Sequence, residues 1–125
     1  MTGNDLFKAA VGYLTQTVVD SEDLTEFVPG WLNVLLAECL PTENARRRYE
    51  GLPELASAPA VTQETMGDDI PYREELLRAA LPYGLASDFY REDENYSMAD
   101  EFRARYIGAL TEAQRLETES VRNVY

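Results

Sequence analysis

The chain has 125 residues, 45% of them hydrophobic, a net charge of −12, one cysteine and no histidine. That length and composition bound one globular domain with one core, and the acidic balance, which repels a phosphate backbone, argues against independent nucleic-acid binding. No apolar run approaches the ~20 residues of a membrane span, and the polar start Met1-Thr2-Gly3-Asn4-Asp5 lacks the pattern of a signal peptide, so the expected setting is the cytoplasm.

In chain order, Thr2 or Asn4 can cap a first helix with Leu6, Ala10, Tyr13, Leu14, Thr17 and Val18 along one face. Asp20 with Asp23 resembles a capping box for the next. That second helix is strongly apolar: Leu24, Phe27, Val28, Trp31, Leu32, Leu35, Leu36, Cys39 and Leu40. Pro29-Gly30 interrupts it, either separating two helices or bending one. The apolar face keeps its phase across the break, which favours a single bent helix from Leu24. Trp31 and Cys39 read as core residues; a reactive thiol would need a basic or histidine neighbour.

Pro41-Thr42-Glu43 can open a further segment that Gly51 ends. Within it, Arg46, Arg47 and Arg48 are the only basic cluster. They read either as a solvated face paired with Glu43 and Glu50 or as a contact for an acidic partner surface. From Leu52 to Gly67 the periodicity fails, and Pro53 and Pro59 make an irregular connection with room for a short extended piece. So long a loop in so small a domain suggests a functional or partner-ordered segment.

The stretch from Asp68 to Tyr90 is the one around which the rest is expected to be arranged. Asp69 and Pro71 supply a helix start. Leu77, Ala80, Leu81, Gly84 and Leu85 recur at helical steps, widened by Leu76, Tyr83 and Phe89, and Pro82 predicts a bend in mid-helix. Asp93-Glu94-Asn95 is a charged link. Ser97 with Asp100 fits a capping box for a last helix whose buried face reads Met98, Ala99, Phe102, Tyr106, Ala109, Leu110 and Ala113. Residues 117–125 are polar and read as a mobile tail, with Val121, Val124 and Tyr125 available to dock on a neighbouring subunit. The expected fold is all-α: a compact bundle of about four to five helices over residues 1–116, with a long irregular mid-chain loop and a flexible C-terminal tail.

Chemistry is harder to find. The commonest general base and metal ligand is missing, one cysteine cannot build a cysteine-rich zinc site, and no glycine-rich phosphate loop occurs. Asp93, Asn95 and Ser97 have the spacing of a calcium loop's first ligands, but Met98 stands where the loop needs glycine and Ala104 where it needs a bidentate glutamate. Glu38, Glu43, Glu74 and Glu75 could cluster, without the Glu-x-x-His pairs of a di-metal bundle. No catalytic, metal or cofactor-binding residue is assigned, and an enzyme is not expected.

Several pieces taken together carry a resemblance. They are Phe27-Val28-Pro29-Gly30-Trp31-Leu32-Asn33-Val34-Leu35-Leu36-Ala37-Glu38-Cys39-Leu40, Glu43-Asn44, Ala58-Pro59-Ala60-Val61, Asp68-Asp69-Ile70-Pro71-Tyr72, Leu81-Pro82-Tyr83-Gly84-Leu85-Ala86, Asp93-Glu94-Asn95 and a closing helix from Ala99 to Tyr106. In order and spacing, over roughly residues 24–110, the chain resembles the small helical head–tail connector (adaptor, or head-completion) proteins of tailed bacteriophages and prophages. The resemblance implies a structural subunit without catalytic residues. Such subunits form a homo-oligomeric ring, commonly twelve-fold, between a portal protein and a tail-completion protein, and many are monomers until they meet the portal. It implies residence in the bacterial cytoplasm during assembly and in the virion neck afterwards. Candidate interface residues are Arg46, Arg47, Arg48, Val121, Val124 and Tyr125. The acidic charge would let DNA slide through such a ring. It would equally suit a DNA-mimicking inhibitor, or a helical adaptor of a nucleic-acid-binding protein.

Overall fold

The computed structural model describes residues 1–14 and 24–124, with side chains as far as residue 115. Thr17, Val18 and the caps read at Asp20 and Asp23 therefore lie outside the described residues, as do Tyr125 and the side chains of Val121 and Val124.

Among the described residues the architecture is all-α. Helix α1 spans Gly3–Val11, capped by Thr2: its hydroxyl accepts from the Asp5 N–H at 3.1 Å, and the Asp5 carboxylate accepts from the Thr2 N–H at 3.0 Å. Reciprocal capping of this kind satisfies two helix-end donors at once. Leu6 and Ala10 point into the core.

Helix α2 spans Val28–Tyr49 and corrects two expectations. It does not begin at Leu24, because residues 24–27 form tight turns closed by the Phe27 N–H on the Leu24 carbonyl at 3.0 Å. Pro29 instead sits in the first turn, where a missing donor leaves nothing unpaired. Nor does Pro41 open a new segment; it lies inside the continuous helix on its exposed side, where the Ala37 carbonyl it deprives of a partner faces solvent. Val28, Leu32, Leu35, Leu36 and Cys39 form the buried stripe, as their phase predicts.

The loop after α2 is ordered by α2 itself. Asn44 and Leu55 exchange paired bonds of 3.0 and 2.8 Å between carboxamide and main chain, and Asn33 does the same with Val61 at 3.0 and 2.7 Å. The two asparagines stand three helical turns apart, roughly 16 Å along the axis. The six-residue step from Leu55 to Val61 spans about 20 Å at full extension. The loop therefore lies nearly stretched and antiparallel along α2. Its only helical turn is a short 3₁₀ piece, Gln63–Thr65, which follows the extended backbone at Thr62. Asp69 does not cap a helix; it forms a lone antiparallel bridge with Thr2, and its carboxylate lies 3.8 Å from the Met1 amine.

The central stretch divides into α3, Glu74–Ala79, and α4, Leu81–Glu92. The bend expected at Pro82 is a full break at Ala80, because Pro82 falls in the first turn of α4 and its ring excludes a carbonyl one turn back. Helix α4 is nonetheless the hub: it packs against each of the other helices, with Leu81, Leu85, Ala86 and Phe89 fully enclosed. Gly84 makes this possible. A methyl group there would stand 2.7 Å from Leu35 Cδ2 and 3.2 Å from Tyr106 Cδ1, so α2 and α5 close on α4 only over a bare backbone.

The link to α5 is a Schellman turn. The Glu94 N–H bonds the Arg91 carbonyl at 3.0 Å, and the Asn95 N–H the Tyr90 carbonyl at 2.8 Å, with Glu94 held at φ 58°. Asn95 then caps α5, Tyr96–Val124, by accepting from the Met98 N–H at 3.3 Å. The cap is therefore Asn95, two residues ahead of the expected Ser97. The same turn closes α2, with Gly51 at φ 75° in the position Glu94 holds here. Because a left-handed conformation burdens any residue with a Cβ, Glu94→Gly is expected to raise stability by about 1 kcal/mol in urea denaturation. The buried face of α5 is Ala99, Phe102 and Tyr106, with Met98, Ala109, Leu110 and Ala113 half-buried, as read from the sequence. Its backbone stays helical to Val124, continuing into the 117–125 segment.

Candidate functional site

Helix α2 supplies two unlike faces. The outer one carries Phe27, Gly30, Val34, Ala37 and Pro41, all exposed and spaced alternately by three and four residues, which stacks them into one stripe. Val34 is 61% and Phe27 42% exposed. No charged residue occurs from Phe27 to Ala37 in a chain carrying −12. Phe27 stacks on Trp31, whose ring meets Phe89 edge-on at 5.4 Å, so the stripe is anchored to the core through a half-buried tryptophan.

The C-terminal end of α2 is a charged joint. Glu43 is 1% exposed, yet every contact of its carboxylate is made good: it accepts from Arg47 Nε at 2.9 Å and from the Arg73 main-chain N–H at 2.5 Å. Arg47 also donates to the Pro53 carbonyl at 3.2 Å and the Pro71 carbonyl at 2.7 Å. Of the candidate cluster, Arg47 is thus taken up in joining α2 to the loop and to α3. Arg46 pairs with Glu50 at 3.1 Å, Glu50 also pairs with Arg73, and Arg48 reaches Glu54 only at 3.9 Å while largely exposed. The side chains of the other candidates, Val121, Val124 and Tyr125, lie outside the described residues.

A cavity of about 470 Å³ opens beside this joint between α2, α3 and α5, with Leu76, Ala79, Ala109 and Ala113 as its apolar walls. Nothing in the sequence marks it, since its lining residues come from three separate segments.

A second polar cluster ties α2 to α5 at the surface, over the buried Tyr106. Glu38 receives both Arg103 nitrogens, at 3.2 and 2.7 Å, and the Tyr106 hydroxyl at 3.1 Å. Arg103 holds the Glu38 carboxyl below its usual range. Cys39 is fully buried, 3.5 Å from the Tyr106 oxygen, and burial pushes its thiol up to about 11, the inert state expected of a core cysteine. Three of the four glutamates are each held by a different arginine, Glu38 by Arg103, Glu43 by Arg47 and Glu74 by Arg78, while Glu75 lines the cavity that Glu43 also borders. Among the described residues no three metal-binding side chains converge, and no helix is long and apolar enough to cross a membrane.

Asp88 is also paired, with Arg91, but its carboxyl is not held down. Burial pushes its carboxyl up to about 6, against the pull of Arg91 at 3.4 Å and of Arg103. Its folded-state pKa lies above the unfolded one, so the folded state binds the extra proton between about pH 4 and 6. Stability contributed by this group is present at low pH and lost as pH rises through 6. Asp88→Asn is expected to stabilise the protein at pH 7 by about 1 kcal/mol and to flatten that part of the pH–stability profile, measured as Tm across pH 4–8. An unchanged profile would contradict it.

No family model matches this chain, and no curated protein or solved structure matches it significantly.

Proposed function

We propose that this chain is a head–tail connector subunit of a tailed phage or prophage, which assembles as a ring on a portal protein and offers its far side to a tail-completion protein. The observation that carries the reading is the bare stripe on α2. A helix apolar on both sides is ordinarily enclosed on both, and an uncharged exposed strip on an acidic body suits a surface that another protein covers. The stripe lies on Phe27-to-Leu40, the longest of the pieces behind the resemblance. Asn33 of that piece holds Val61 of another, so pieces distant in sequence lie together. Arg48, largely exposed and reaching Glu54 only at 3.9 Å, is the arginine of the cluster most open to an acidic surface on a neighbour, in the head-to-tail manner that closes a ring. Arg46 beside it shares Glu50 with Arg73.

The reading asks no catalysis of the chain. For the alternative, a DNA-mimicking inhibitor, carboxylates should form a regular unpaired strip; here Glu38, Glu43, Glu50, Glu74 and Glu101 are each tied to an arginine. Mixing the purified chain with the portal protein of the same genome and imaging the product by electron microscopy tests the proposal. A ring of added density on the portal is expected. A portal left bare at saturating concentration would overturn it.

A further inference from the structure

We infer that the cavity between α2, α3 and α5 is the receptor for residues 117–125 of a second copy of this chain. The inference rests on the head-to-tail ring proposed above and names one contact within it.

The cavity has the makings of a socket for an amphipathic segment of mixed charge. Its walls, Leu76, Ala79, Ala109 and Ala113, are small or apolar and leave about 470 Å³, within the range of sites that take up side chains of a ligand. Its rim is unevenly charged. Arg46 and Arg73 share the single carboxylate of Glu50, so one positive charge is left over on that side. Arg73 Nε is, among the described residues, the one buried side-chain nitrogen or oxygen without a hydrogen-bond partner. A buried donor in that condition gains from any acceptor that reaches it. Glu75 and Glu112 also line the cavity.

Residues 117–125 complement those features. Glu117 and Glu119 answer the surplus arginine charge, Arg122 answers Glu75, since Glu112 is paired with Arg115, and Val121 with Val124 and Tyr125 supplies apolar groups at three- and four-residue spacing. The chain cannot bring this segment to its own cavity. Ala113 lines the wall, and α5 continues as unbroken helix to Val124. That carries the backbone at Val121 roughly 12 Å, and at Val124 roughly 16 Å, farther along the axis. The occupant must then come from another subunit, as a heterologous ring contact requires.

The test uses the full chain as receptor and a fluorescein-labelled peptide of residues 114–125 as probe, read by fluorescence anisotropy. Saturable binding is expected, weakened roughly tenfold or more by Ala79→Trp, which fills the cavity from an exposed position on α3. The same loss is expected from Val121→Asp with Val124→Asp in the peptide, a change that leaves the receptor's folding untouched. Raised salt should weaken binding as well. No saturable binding, or binding indifferent to both changes, would overturn the inference. So would portal binding that Ala79→Trp abolishes while the peptide does not bind, since the cavity would then belong to the portal. Rings on the portal without peptide binding would refute this contact and leave the connector reading standing; peptide binding without rings would do the reverse.

Discussion

Glu43→Leu is expected to lower folding stability by about 3 kcal/mol or more. The carboxylate is enclosed, and three parts of the chain converge on it: Arg47 from α2, the Arg73 N–H at the start of α3 and, through Arg47, the Pro53 and Pro71 carbonyls of the loop. Removing one member leaves a half-buried guanidinium and a main-chain donor without their anion, and such stranded groups cost far more than the intact pair contributes. Glu43→Gln separates the two effects. It keeps an acceptor for the Arg73 N–H and loses only the charge, so a smaller loss, of about 1–2 kcal/mol, is expected. Both are read from urea denaturation. A leucine variant as stable as the parent would show that the joint is ornamental and that apolar packing alone seats α3.

Asn33→Ala combined with Asn44→Ala is expected to cost about 2–4 kcal/mol, since each carboxamide closes two main-chain bonds and their sites are far enough apart to add. The Val61 N–H is the more expensive loss, because Val61 is buried and its donor would have no substitute. The structural consequence is specific. Residues 52–62 contain no regular element of their own, so without these anchors the segment should be cut by a broad-specificity protease while the helices resist. Equal cleavage rates for parent and double variant would mean that the loop is held by something other than the two asparagines.

What could be read in advance follows from what is local. The faces of α5 and of the central stretch were legible because a buried stripe repeats at helical spacing whatever it packs against. Cys39 was legible for the same reason. The prolines were not. Pro29, Pro41 and Pro82 all carry the same local signal, a missing donor, and the outcome depends on where that donor would have pointed. Pro29 and Pro82 fall in first turns and begin helices, whereas Pro41 faces solvent inside one. At α5, Ser97 and Asp100 form a valid capping pattern, but the Schellman turn at Glu94 delivers Asn95 to the cap first. The Glu43 joint depended on contacts thirty residues apart. A signal did exist for it: Glu43 continues the phase of Leu32, Leu36 and Cys39, which places a carboxylate on the buried face and demands a partner. Long-range pairing leaves no such trace for the cavity.

The proposed connector role requires another protein to cover the uncharged stripe of α2. The most direct measurement compares the chain with its Val34→Glu variant for assembly onto the portal protein, after circular dichroism and thermal melting have shown the two to be equally folded, as a residue 61% exposed permits. For the proposed connector role, affinity at least about a hundredfold weaker is expected of the variant, the penalty of placing a charge in a closed apolar contact. Undiminished assembly by Val34→Glu would contradict it.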